Sequence, residues 1–267
     1  MVDFAFFLVP DLDRVILFIS IALCGMLGFY AYSKKVLDVR ASILASLIGF
    51  IIILYSDLFW FFLLLFFLIV SYLVTVWKYS YKRQRGISEG KGGERGVKNV
   101  LANGLIPLLI VIFSEPIDSI TDGLAGFMFI SAIAIATADT FGSEIGILAD
   151  GPRMITSPRT KVQPGIDGGV SLLGNTAAFF GALIISLVGL VFVSDLIVVW
   201  DPHTMQAGIL PLVMITVIGW LGCQLDSLLG ATLQKKGFLT NNTVNFVTIG
   251  IGAILSIPLY FLIQPFL

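Results

Sequence analysis

The sequence predicts an all-α fold, a polytopic helical bundle of about eight transmembrane helices with both termini outside. Three observations predict it. The chain is 57% hydrophobic and only 12% charged, with a mean hydropathy of +0.99, whereas soluble domains carry about 25% charged residues. Apolar runs long enough to cross a bilayer core of about 30 Å recur along the whole length. The basic residues also collect in alternate loops, as they do on the cytoplasmic side of membrane proteins.

Taken in order, the spans are 15–32, 41–56, 58–77, 98–113, 123–138, 170–193, 207–229 and 243–263. Each must be helical, because lipid offers no partner to a backbone amide. Little more than Ser56-Asp57 separates the second span from the third. The pair is about twice too long for one helix and reads as a tight hairpin. The fourth begins with Lys98, Asn99 and Asn103, and reads either as a span or as a re-entrant segment lining a cavity. Residues 1–267 thus form one membrane domain, with 78–97 and 139–169 as its long cytoplasmic loops. No signal peptide is expected in Met1–Val15, which has acids but neither a basic stretch nor a small-residue cleavage site. Cys24 and Cys223 lie inside apolar runs and read as small hydrophobic residues, not as a disulfide or a metal pair.

Alternating eight spans puts 33–40, 78–97, 139–169 and 230–242 on one side. All of the 16 Lys and Arg residues except Arg14 then fall on that face. The opposite loops carry Asp57, Glu115, Asp118, Asp122, Asp195 and Asp201 without a cation. An error of one span would scramble this segregation. The two long inner loops are Gly-rich and carry both signs of charge, so chemistry is expected at the inner face.

Four segments bring polar groups there. Arg95, Asn99 and Asn103 are spaced to share one helical stripe, with Lys98 beside Arg95. Such a stripe faces a cleft or forms an interhelical hydrogen-bond ladder, because lipid would penalise it. The fifth span ends in ADTFGSEIG. If the helix continues, Asp139 and Ser143 share a face while Glu144 points roughly 140° away, and the two acids act together only if the helix breaks at Gly142. An acid at this position is either a Mg²⁺ ligand or a carboxylate at headgroup level. Next come Arg159 and Lys161, then PGIDGG (164–169), then the sixth span. Glycines before a helix let backbone amides approach an anion. The bland alternative makes Asp167 the helix N-cap. Asp226, with Gln224 and Ser227, lies inside the seventh span, as a buried functional acid or as a partner for Arg95 or Lys98.

His203 is the only histidine and falls in an outer loop. A His base or His-containing zinc site is therefore not expected, and no Ser-His-Asp, CxxC or Walker pattern is present. Carboxylates, Lys, Arg and Gly-rich backbone suit metal-assisted phosphoryl or nucleotidyl transfer, which needs positioning and charge neutralisation more than a covalent nucleophile. No nucleic-acid partner is expected, and the oligomeric state is left open.

KGGERGVKNVLANG (91–104), ADTFGSEIG (138–146), KVQPGIDGGVSLLGN (161–175) and DSLLGATLQ (226–234), in this order, resemble the membrane prenyl-phosphate kinases, which include the phytyl-phosphate kinase of vitamin E synthesis. The motif-bearing core is 91–234. More distantly, the acid followed by PGxxGG is similar to dolichol and phytol kinases and to CDP-diacylglycerol synthase. The resemblance implies Mg²⁺-dependent transfer of the γ-phosphoryl of CTP, or another nucleoside triphosphate, to an isoprenyl monophosphate in a prokaryotic plasma membrane. It implies Asp139, Glu144 and Asp226 as metal ligands, and Asp139, Asp226, Lys161 and Arg95 as the catalytic set. Arg95, Lys98, Arg159 and Lys161 would grip phosphates, with Gly165, Gly168 and Gly169 cradling the nucleotide. Asn99 and Asn103 would orient substrate. Ser143, Asp167, Ser171, Asn175, Ser227 and Gln234 complete the implied binding set. The first three spans carry no recognisable motif. Two rivals are a cytidylyltransferase making a CDP-lipid from the same parts and an ion-coupled transporter using Asp139 and Asp226. The transporter fits poorly with the apolar outer half of every span.

Overall fold

The structure, a computed structural model, describes residues 11–88, 92–192 and 202–266 and is mostly helical. Lys91, Asp195, Asp201 and the first ten residues lie outside the described residues, as does the Arg14 side chain. In chain order the long helices are α1 (Asp11–Ser33), α2 (Val39–Tyr55), α3 (Leu58–Val76), α5 (Val97–Ile112), α7 (Leu124–Gly146), α8 (Leu172–Phe192), α9 (Pro202–Leu229) and α10 (Asn241–Ile263). The short helices α4 (Tyr79–Gln84) and α6 (Ser114–Asp118) sit in connections, and a five-residue π-helical turn, Gly230–Gln234, extends α9. Six of these helices are long and apolar enough to cross a membrane, while Val39–Tyr55 and Val97–Ile112 are shorter.

The expected hairpin between the second and third spans is present. Asp57 caps α3, accepting from the backbone amides of Phe59 at 2.7 Å and Trp60 at 3.2 Å. That carboxylate satisfies amides that would otherwise be orphaned, which is why two apolar helices can be joined through two residues. His203 belongs to the first turn of α9, not to a loop.

α7 is the hub. Every residue from Leu124 to Ala138 is buried, and α8, α9, α10, α3 and α5 all pack on it. Its many small residues (Ala125, Gly126, Ser131, Ala132, Ala134, Ala136, Ala138) let neighbouring helices come close, the usual means of association where lipid supplies no hydrophobic drive. At its N-terminal end the Tyr260 hydroxyl donates to the Asp122 carbonyl, and Asp118 accepts from the Ala125 amide at 2.8 Å.

α7 does not stop at the membrane edge expected for it. It runs past Ala138 to Gly146 without a break at Gly142. The following loop forms a three-stranded sheet of order β2-β1-β3, made of β1 (Arg153–Met154), β2 (Ser157–Lys161) and β3 (Gly169–Val170). This sheet is the one non-helical element among the described residues, and it delivers the Gly-rich loop to the start of α8.

Candidate active site

The C-terminal ends of α7 and α9 and the N-terminal ends of α8 and α10 converge at one end of the bundle. They enclose a polar cavity of ≈540 Å³. Its floor is a pair of carboxylates. Asp139 from α7 and Asp226 from α9 are close enough to interact, with Thr248 of α10 beside Asp226. Asn245 Nδ2 donates to Asp139 Oδ2 at 3.2 Å. Asp226 Oδ2 and Asn245 Oδ1 are both buried without a hydrogen-bond partner. Two neighbouring acids, one of them with a buried acceptor oxygen left unsatisfied, form a set that a cation would complete. Mg²⁺ fits that chemistry, since it takes oxygen ligands, uses one or two carboxylates and keeps positions for phosphate. Among the described residues no three His, Cys, Asp or Glu side chains gather in a metal-binding group, so two carboxylates are what the protein offers.

Glu144 does not join them. Because α7 continues unbroken, the five-residue offset from Asp139 turns Glu144 by roughly 140°, toward α3 and α4. There Glu144 Oε2 pairs with Lys82 Nζ at 2.5 Å. Lys82 is fully buried and also donates to the carbonyls of Val74 at 3.0 Å and Thr75 at 3.1 Å. Arg95 completes this cluster through Thr75 Oγ1 at 3.1 Å. The expectation that Glu144 shares a metal ion with Asp139 and Asp226 is therefore corrected. It anchors the inner loop, although one side of it still lines the cavity.

The Gly-rich loop forms the opposite wall. Gly165 and Gly168 adopt the left-handed backbone, φ +85° and +77°, which glycine reaches without steric cost. At Gly168 a Cβ would lie 2.3 Å from Ala231 Cβ and 2.8 Å from its Cα, so only glycine lets the loop seat on the π-helical turn. Gln234, at the end of that turn, donates to Asp167 Oδ2 at 2.8 Å and ties loop to helix from the other side. Asp167 is thus not the N-cap of α8. Ser171 takes that place, its Oγ accepting from the Gly174 amide at 3.0 Å. Protein backs one side of the otherwise exposed Asp167 carboxyl, and that partial desolvation raises its pKa from the ordinary value. Helices α7 and α8 nearly touch here, since a Cβ on Gly174 would come within 2.8 Å of the Gly142 carbonyl oxygen. Asn175 Oδ1 accepts from Trp220 Nε1 at 2.9 Å and Gln224 Nε2 at 2.8 Å, which fixes the amide with its NH₂ on the opposite side.

The cavity therefore gathers Asp139, Ser143, Glu144, Gly165, Asp167, Gly168, Gly169, Ser171, Asn175, Asp226, Ser227 and Gln234 from the expected set. It does not gather the expected cations. No Lys or Arg is among its lining residues, four of which are acids. Arg159 and Lys161 lie exposed on β2, and Lys161 is separated from the lining strand β3 by β1, about 10 Å across the ladder. Lys98 is exposed. Arg95 precedes α5, which starts at Val97, so it is not on a helical stripe. With Asn99 and Asn103 it lines a second, separate cavity.

Sequence reasoning missed Lys82, Asn241, Asn242, Asn245 and Thr248. Lys82 is one of several basic residues in 78–85, and nothing in that run marks the one that turns inward. The amides had a signal, since NNTVN opens the last span at the inner face where lipid would penalise it.

A family model described as "Integral membrane protein DUF92" matches residues 22–253. The chain is 35% identical over 245 residues to an uncharacterized membrane protein of Methanocaldococcus jannaschii, covering 91% of this chain and 94% of that one. It is 29% identical to Protein PGR of Arabidopsis thaliana, covering 87% and 92% of the two chains. With Protein VTE6, chloroplastic, of the same plant, it shares 28% identity over 72% of this chain and 57% of that one. No solved structure matches.

Proposed function

The chain belongs to the DUF92 family of integral membrane proteins, and from that premise we propose that it is a Mg²⁺-dependent kinase. It transfers the γ-phosphoryl of CTP, or another nucleoside triphosphate, to an isoprenyl monophosphate and yields the diphosphate. The observation that carries the reading is the neighbouring pair Asp139 and Asp226, with Asp226 Oδ2 buried and unsatisfied, beside a Gly-rich loop in a cavity whose lining has no Lys or Arg. A triphosphate cannot occupy an acidic cavity of that kind alone, so the cation is part of the substrate complex. Relatedness to a chloroplastic protein and the motif resemblance to prenyl-phosphate kinases supply the substrate class.

Bound Mg²⁺ would neutralise charge on the transferring phosphoryl group. The protein's own part is positional. Asp139, held by the Asn245 amide, and Asp226 would hold the cation, and backbone amides near Gly165, Gly168 and Gly169 would meet phosphate oxygens. The side-chain amides of Asn175, Asn241 and Asn242 are further donors on the cavity wall. An oxygen of the acceptor monophosphate attacks the γ-phosphorus. The bond from that phosphorus to the β–γ bridging oxygen breaks, and the nucleoside diphosphate leaves with the electron pair. The acceptor is already anionic, so no general base is needed, which suits a chain whose one histidine is on the far side of the bundle. In this reading both termini are outside, all eight long helices span, and the cavity opens to the cytoplasm of a prokaryotic plasma membrane.

The test is direct. Purified protein is incubated with Mg²⁺, each nucleoside triphosphate in turn, and geranylgeranyl or phytyl monophosphate. Lipid diphosphate labelled from the γ-phosphate is the expected product. Label from the α-phosphate with released pyrophosphate would instead identify a cytidylyltransferase.

A further inference from the structure

Helices α1, α2, α3 and α5 enclose a second cavity of ≈640 Å³. Its walls are largely apolar, with Leu27, Leu64, Leu65 and Leu68 among them. Its cations cluster at one end, where Lys34 and Arg95 arrive beside Asn99 and Asn103 from the C-terminal end of α1 and the N-terminal end of α5. Along α3 the lining runs from Phe61 to Leu73, a rise of roughly 18 Å, or a little over half a bilayer core. The cavity is therefore an apolar slot one leaflet deep with a cationic inner end. On either side of the seam between α1 and α3, Tyr30 and Leu73 are 59% and 57% exposed, so the slot opens sideways.

Asn103 shows that the inner end is built for a ligand. It is 5% exposed. Its Nδ2 donates to Asn99 O at 2.9 Å, while Oδ1 is buried without a partner. An amide oxygen left so in an apolar wall costs free energy unless a ligand donor, or a water carried by a ligand, reaches it. The slot also abuts the catalytic cavity. Arg95 lines the slot, Glu144 lines the catalytic cavity, and the Lys82–Glu144 pair with Thr75 lies between them.

We propose that this slot is the binding site for the hydrocarbon tail of a single-chain anionic amphiphile, its head group held by Lys34, Arg95, Asn99 and Asn103. The first three spans are thus the lipid-recognition half of the protein. That the head is an isoprenyl monophosphate rests on the proposed function, while the tail site itself does not. A head group at Arg95 stands at the boundary of the two cavities, with Thr75 and the Lys82–Glu144 pair between it and the polar cavity.

The experiment uses the full chain in nanodiscs without nucleotide, with a geranylgeranyl monophosphate carrying a diazirine at its distal end. Cross-links on α1, α2 or α3, competed by unlabelled geranylgeranyl monophosphate, are expected. Cross-links confined to α8, α9 and α10, or insensitive to competitor, overturn the proposal. In parallel, Ala45→Trp fills the slot from α2 and leaves the catalytic cavity untouched. It should weaken binding of the C20 monophosphate by tenfold or more, given what one methylene is worth in such a pocket. A C5 monophosphate should lose much less. Equal loss for both lengths, or none, overturns the tail assignment. Because no turnover is read, a protein that binds the amphiphile here but transfers no phosphoryl group refutes the kinase reading alone.

Discussion

Replacing Lys82 decides whether Glu144 belongs to the scaffold or to the chemistry. The Lys82 side chain is fully buried and that of Glu144 is 9% exposed, with 2.5 Å between Nζ and Oε2. Removing one partner of a buried pair strands the other charge, so Lys82→Met should cost about 3–5 kcal/mol. Glu144→Gln leaves the ammonium with the Val74 and Thr75 carbonyls, and should cost less, about 2–3 kcal/mol. The double variant strands no charge and loses mainly the two carbonyl bonds, about 2–3 kcal/mol together. The single losses then exceed the double by about 3–5 kcal/mol. A double-mutant cycle on unfolding in detergent measures that coupling. A value below about 0.5 kcal/mol means the residues act independently, and the scaffold argument fails. A second readout guards the conclusion: in Glu144→Gln the Mg²⁺ concentration for half-maximal turnover should stay unchanged, and a tenfold rise would return Glu144 to the metal site.

Other consequences are as sharp. Asp139→Asn and Asp226→Asn should each remove at least about 99% of turnover, since each deletes a carboxylate of the cation site, with the unfolding midpoint unchanged or raised. Activity surviving both changes would refute the cation site. Gly168→Ala strains a left-handed residue by about 1–3 kcal/mol and drives its Cβ into Ala231, so turnover should drop at least tenfold. Adding Ala231→Gly should recover part of it, and no recovery would place the defect elsewhere. Arg159→Ala and Lys161→Ala should raise the KM for nucleotide only a few-fold, and less at high salt, because both side chains are exposed. A loss of kcat resembling that of Asp139→Asn contradicts their position on the outer strand. Burial raises the pKa of Asp167, so folding favours its protonated form and that contribution is lost as pH rises through the folded pKa. Asp167→Asn should therefore gain stability over the parent at neutral pH, with the difference shrinking below the ordinary carboxylate range. A gain that persists unchanged at acid pH would show another cause.

How much was legible in the sequence follows from how local each signal is. Crossing lipid demands about 20 apolar residues and helical backbone whatever the neighbours are, so eight segments could be drawn within a few residues of the helices observed. The one large error was the inner end of α7. Hydropathy ends the span at Ala138, where polarity begins and a continuing helix is one of two readings, and the helix in fact continues to Gly146. Asp139, Asp226 and PGIDGG stood out because acids in spans and glycines before helices are costly without a use. What the sequence hid was direction. Glu144 and Asp139 look alike in ADTFGSEIG, and only the unbroken helix sends one to Lys82 and the other to Asp226.

By itself, then, the sequence determined a cluster of carboxylates and glycines at the helix ends of a membrane bundle, because hydropathy and charge act residue by residue. Tertiary structure alone decided the partition of that cluster. Close packing of α7 against α8 and α9 made the carboxylate pair. The inward turn of Lys82 withdrew Glu144, and the sheet carried Arg159 and Lys161 away from the cavity. Arg95, Asn99 and Asn103 went to an apolar slot whose walls come from helices with no motif of their own. Such choices depend on which surfaces meet, and no spacing along one chain encodes that.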